Sequence, residues 1–199
     1  MSELYKNKYR IGTTRLKNWN YNREAMYFVT ICTKNREHYF GEIKNGIMQH
    51  SEIGKIASSE WFYAVKIRPD MNLELGEFVV MPNHIHGIIM IGKNEFNTPG
   101  IGLNHSGDGL NHSGDAMHCV STGKTPYKNQ FAPQSKNLSS ILRGYKSAVT
   151  TYARKNNIEF EWQTRFHDHI IRSAGAYERI STYIKNNPSN WKEDKFHQE

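Results

Sequence analysis

The stretch FVVMPNHIHGIIMIG, residues 78–92, constrains the fold of this chain more than any other. Two apolar runs, MNLELGEFVVM and HIHGIIMI, are separated only by Pro82 and Asn83, which predicts two strands joined as a hairpin. A strand this apolar is buried on both faces, and polar groups sealed inside it cost on the order of several kcal/mol unless something satisfies them. His84 and His86 therefore need partners. Side chains alternate along a strand, so residues at i and i+2 project from one face with their rings close together. That is the geometry of two nitrogen ligands on one metal ion. A hydrogen-bonded pair of histidines at a strand start is the alternative reading.

The rest of the chain switches between strand and helix periods. AMYFVTICT (residues 25–33) is β-branched and aromatic and predicts a strand, followed by a polar turn and YFGEI. In SEIGKIASSEWFYAVKI, Ile53, Ile56, Ala57, Trp61 and Val65 recur at helical spacing behind Ser51, which can cap. NLSSILRGYKSAVTTYARKNN predicts a second helix with Leu138, Ile141, Leu142, Tyr145, Val149 and Tyr152 inward and Arg143, Lys146 and Arg154 outward. EWQTRFHDHIIRS reads as a last strand, and GAYERISTYIKNNP as a helix that Pro188 ends. This order predicts an α+β fold in which helices cover one face of an antiparallel sheet.

A length of 199 residues suits one domain. We divide the chain into a basic arm over residues 1–24, a domain over 25–191 and a tail over 192–199. Within the domain, residues 94–136 form a low-complexity loop in which GLNHSGD occurs twice, at 102–108 and 109–115. His105, His112, His118 and Cys119 in it invite a metal reading, but Gly-rich polar repeats lack the scaffold that fixes ligand geometry. No apolar run approaches the roughly 20 residues of a membrane span, and the N-terminus has no signal-peptide apolar region. Two cysteines make no disulfide framework, so a cytoplasmic location is expected. The excess of 26 Lys+Arg over 19 Asp+Glu, a net charge of +7, points to a polyanionic partner, most often nucleic acid.

On the last helix Asn187 follows Tyr183 by one turn, so a phenol and a carboxamide share a face. Taken alone, Tyr183 also suits the core and Asn187 a C-cap. Read together and in order, VVMPNHIH, WQTRFHDHIIR and YIKNNP resemble the IS200/IS605-type single-tyrosine HUH transposases, and most closely the REP-associated tyrosine transposases. The resemblance runs from about Ala25 to Trp191 and lacks only the low-complexity loop. It implies a ferredoxin-like (RRM-like) HUH fold and a transposase that cleaves and rejoins single-stranded DNA through a 5′-phosphotyrosine. It further implies that His84, His86 and Asn187 bind Mg²⁺ or Mn²⁺, that Tyr183 is the nucleophile, and that the partner is single-stranded, hairpin-forming DNA. Both a monomer and a homodimer that exchanges the last helix fit the family.

Tyr152, with Asn156 four residues on, competes for the nucleophile role. Arg143, Lys146, Arg165 and Arg172 are the expected phosphate contacts. Trp19 and Tyr21 either stack on bases or pack the arm on its own domain. Two rival functions stay open: a metal-dependent hydrolase with no covalent intermediate, and a non-catalytic DNA-binding protein on the same fold.

Overall fold

The computed structural model describes residues 19–98 and 135–197; the GLNHSGD repeats and the histidines and cysteine around them lie outside that range. In chain order the elements are β1 (Ala25–Cys32), β2 (Gly41–Lys44), β3 (Ile47–His50), α1 (Glu52–Lys66), β4 (Leu73–Met81), β5 (His84–Ile91), α2 (Leu138–Lys155), β6 (His167–Ile171) and α3 (Ala174–Asn186). The main sheet has the order β4-β5-β1-β6, antiparallel throughout, and β2 and β3 form a separate small hairpin. The architecture is α+β, as the residue pattern predicts. Among the described residues no helix is long and apolar enough to cross a membrane.

Local chemistry explains the boundaries. Ser51 Oγ accepts from the Gly54 amide and starts α1. Asn137 and Ser140 exchange side-chain and backbone bonds as a capping box and start α2. Strand β3 is the element the sequence reading omits. Its turn, Asn45-Gly46, takes φ of 53° and 74°, the conformation an Asn-Gly hairpin favours. The strand it leads into is short and exposed, so it carries no apolar alternation to detect. In the other direction, only residues His167–Ile171 of the last predicted strand are in the sheet.

The expectation that helices cover one face is corrected. Along β1, Tyr27, Val29 and Ile31 join the large core, and along β5 Ile85, Ile89 and Ile91 do so, together with Ile53, Ala57 and Trp61 of α1 and Ile141, Tyr145 and Val149 of α2. The alternate positions face the other way. There Ile88, Ile171 and Ile184 form a second cluster with Met26, Phe28 and Val79, covered by α3. The period-two pattern is continuous because the sheet is buried on both sides, which is why burial of one face alone could not be read from it. Gly87 keeps the first face compact, because the Trp61 indole fills the space where its Cβ would sit. A register shift between Leu75 and Phe78 in β4 moves Phe78 and Val80 onto the same face as Leu73 and Leu75.

Candidate functional site

His84 and His86 stand on the α3 face of β5, fully buried at 0% and 2% exposure. In the sheet His86 lies between Thr30 of β1 and Val79 of β4, and His84 between Cys32 and Met81. Their Nε2 atoms face each other at 3.1 Å. Each ring is held from behind: His84 Nδ1 meets Asn83 Oδ1 at 2.9 Å, and His86 Nδ1 meets Thr30 Oγ1 at 2.9 Å. Burial pushes both imidazoles down, His84 well below the ordinary range with help from His86 and nearby cations, and His86 to about 3. Both rings are therefore neutral near pH 7, the state in which imidazole offers a lone pair to a metal.

Helix α3 brings Tyr183 to the same place. Its hydroxyl is 3.1 Å from His86 Nε2 and 3.2 Å from Asp194 Oδ2, while the side chain stays 40% exposed. The Phe28 ring backs both His86 and Tyr183. Burial and the Asp194 carboxylate push the phenol up to about 12. Asn187, one turn on, is the C-cap of α3 and is 2% exposed. Its Nδ2 donates to Asp194 Oδ2 at 2.8 Å, and its Oδ1 is buried with no hydrogen-bond partner among the described residues.

The residues sequence reasoning missed come from outside the motifs. Asp194, in the segment set apart as a tail, forms with His84 and His86 a group whose ligand atoms all lie within 4.8 Å of one another. Phe196 packs on His84 at 4.5 Å between ring centroids, and the Arg36 guanidinium lies 4.1 Å over the Phe196 ring. Nothing in a charged C-terminal stretch distinguishes Asp194 from the acids beside it. The donor set fits a divalent cation: two neutral imidazoles and a carboxylate with ligand atoms within 4.8 Å of one another, and an unpartnered carbonyl oxygen on the Asn187 amide that meets Asp194.

The site lines a cleft of about 730 Å³ that also takes in Arg36, Arg165, His167 and Lys195. Of the four predicted phosphate contacts, Arg165 faces this cleft. Lys146 donates to the Gln163 carbonyl at 2.6 Å and lies over Trp162. Arg172 packs over Trp19. Arg143 lines a groove with Arg68 and Lys136 on the α1 and α2 side, away from the histidines. Tyr152 is also on that side, its hydroxyl on Glu52 Oε1 at 2.8 Å, so the structure does not bring it to the histidines. Trp19 and Tyr21 pack on their own domain, Trp19 donating to Tyr27 and Tyr21 stacking on it.

The antiparallel four-stranded sheet with helices packed on it is a fold this chain shares with a tyrosine transposase of known structure. A REP-associated tyrosine transposase solved bound to a REP hairpin matches it with a TM-score of 0.50 at 18% identity, over 98% of this chain and 77% of that one. An uncharacterized protein of Haemophilus influenzae is 36% identical over 199 residues, covering 96% of this chain and 97% of its own length, and the chain belongs to the same family as that protein. No family model matches the sequence.

Proposed function

We propose that this protein is a transposase of the single-tyrosine HUH type, a metal-dependent endonuclease and strand transferase for single-stranded DNA. One observation carries the reading: the Tyr183 hydroxyl lies 3.1 Å from His86 Nε2 in a cleft open to solvent, which supports a role for Tyr183 as the nucleophile beside two histidines that would hold a cation. His84 and His86 would hold the ion, with Asn187 Oδ1 and the Asp194 carboxylate as oxygen ligands. When bound, Mg²⁺ or Mn²⁺ supplies Lewis-acid stabilisation of the charge that builds on the scissile phosphate.

The chain's own groups account for the remaining steps. Tyr183 Oη forms a bond to phosphorus in line with the departing 3′ oxygen, and the bond to that oxygen breaks. The phenol proton leaves to water in the open cleft, and the leaving oxygen takes a proton from water to become a 3′-OH. The product is a 5′-phosphotyrosine that conserves the phosphodiester bond energy for rejoining, so no nucleotide cofactor is required. Arg36, Arg165 and Lys195 face the cleft and would position backbone phosphates. The net charge of +7 and the hairpin held by the REP-associated neighbour support hairpin-forming single-stranded DNA as the substrate class. Tyr183 and His86 meet within one chain, which supports a site complete in the monomer.

Incubation with a single-stranded hairpin DNA and Mn²⁺, followed by a denaturing gel, tests the proposal. A covalent protein–DNA band is expected. Cleaved DNA with no adduct would replace it with the hydrolase reading, and retained binding with neither would leave a DNA-binding protein.

A further inference from the structure

Asn83 lies in the turn between β4 and β5 and is completely buried. Its backbone is fixed first. The Asn83 carbonyl accepts from the Thr33 amide and the Thr33 hydroxyl, each at 2.9 Å, and the preceding Pro82 carbonyl accepts from the Phe40 amide at 3.0 Å. With the turn clamped, the side-chain amide has two partners, one on each end. Nδ2 donates to the Phe196 carbonyl at 2.8 Å, 113 positions along the chain, and Oδ1 faces His84 Nδ1 at 2.9 Å.

A carbonyl oxygen accepts and never donates, so the Phe196 carbonyl decides which end of the Asn83 amide turns toward it. The Nδ2 end must face Phe196, which leaves only an acceptor for His84. His84 Nδ1 must then carry the proton, and its Nε2 a lone pair directed at His86 Nε2. We infer that Asn83 is a positioning residue that holds His84 in the Nδ1-protonated tautomer with Nε2 free to bind a cation, and that the C-terminal segment, through the Phe196 carbonyl, sets the polarity of that bond. The metal aspect rests on the function proposed above; the tautomer does not.

Hydrogen bonds behind metal-binding histidines fix their orientation and tautomer, and losing one costs roughly 10- to 100-fold in affinity. A Pro-Asn pair before a strand reads first as turn chemistry. Here the turn geometry is already secured by backbone carbonyls, so burial of the amide is explained by His84 rather than by the turn.

Imidazole ¹⁵N chemical shifts of His84 in the full-length, metal-free wild-type protein test the inference directly. Nδ1 is expected in the protonated range and Nε2 in the unprotonated range. In Asn83→Leu the ring should become a mixture of tautomers, and Mn²⁺ affinity by calorimetry should fall by about 10- to 100-fold. Asn83→Asp keeps an acceptor for His84 while losing the donor to the Phe196 carbonyl, and should retain the Nδ1-protonated tautomer. A wild-type His84 protonated at Nε2 would overturn the inference even if Asn83→Leu failed to fold. So would an Asn83→Leu protein with an unchanged tautomer. A wild-type protein with the expected tautomer but no Mn²⁺ binding would instead remove the metal from the proposed function and leave the assignment of Asn83 to His84 standing.

Discussion

Strand β5 sends Ile85, Ile89 and Ile91 to one side of the sheet and His84, His86 and Ile88 to the other. On the first side the surroundings are two helices whose facing side chains are apolar or aromatic. Trp61 stacks on Phe78 and meets Tyr145 edge-on, and the Tyr145 hydroxyl is closed off by the Ala57 carbonyl. On the second side the apolar cluster is small, with Ile88, Ile171 and Ile184 at its centre, and gives way within one strand repeat to histidines, a half-exposed tyrosine and an acid. Among the described residues, α3 and the segment that follows it cover that side. The comparison teaches that alternation lets one strand serve stability and chemistry at once, since neither face shares side chains with the other.

If that division of labour holds, damage to one face should leave the other's property intact. Trp61→Ala removes a fully buried indole from the first face and should destabilise the protein by about 3–5 kcal/mol, measured by denaturant unfolding. Below the transition the remaining folded molecules should still form the covalent adduct. Loss of adduct in the folded fraction would mean that the two faces are coupled.

Tyr183→Phe makes the converse change. It removes one oxygen and keeps the ring against Phe28 and His86, so stability should shift by less than about 1 kcal/mol. Adduct formation should fall by on the order of 10³-fold or more, because the substitution removes the atom that would attack phosphorus. A covalent band in this variant, or a phosphopeptide mapped elsewhere, would remove Tyr183 from the role while leaving the histidine pair unaffected.

The sequence carried the first face almost completely and the second only in part. Ile53, Ala57 and Trp61 announce α1 by their period, and Leu138, Ile141, Leu142, Tyr145 and Val149 announce α2, because a core face repeats. His84 and His86 were legible as a same-face pair for the same reason. Asp194 was not, since it reaches the site from beyond the last helix and follows no period. Asn83 was legible as a turn residue only, its second partner lying at Phe196. Arg143 illustrates the opposite failure: outward placement on a basic helix is readable, but the side of the sheet on which that helix packs is not.

The two faces also differ in their response to pH. His84 and His86 are neutral in the fold and held below the usual imidazole range by burial. In the unfolded chain each titrates near about 6.5. Below that value the unfolded state binds more protons, so their contribution to stability is present above about pH 6.5 and is lost as the pH falls below it. The slope approaches about 1.4 kcal/mol per pH unit for each histidine. Metal-free protein unfolded in urea at pH 7 and pH 5 should show this loss, and replacing the pair with apolar residues should flatten it. An unchanged slope in that double variant would assign the acid sensitivity to groups elsewhere.

The smallest expected effect concerns the tyrosine on the first side. Tyr152 has the same amide spacing as Tyr183, with Asn156 four residues on, yet the two sites differ in everything the chain cannot announce locally. Asn156 Nδ2 donates to the Tyr152 carbonyl within its own helix at 2.9 Å, whereas Asn187 reaches Asp194. The Tyr152 hydroxyl is spent on Glu52 at an exposed position between α1 and α2. Tyr152→Phe therefore deletes one solvent-exposed hydrogen bond, a change of about 0.5 kcal/mol or less, and should leave the rate of adduct formation within twofold. Parallel measurement with Tyr183→Phe makes the contrast quantitative, since the two substitutions remove the same atom. If Tyr152→Phe abolished the adduct, the nucleophile would lie on α2, and the chemistry would have to be moved to the face that the present structure assigns to the core.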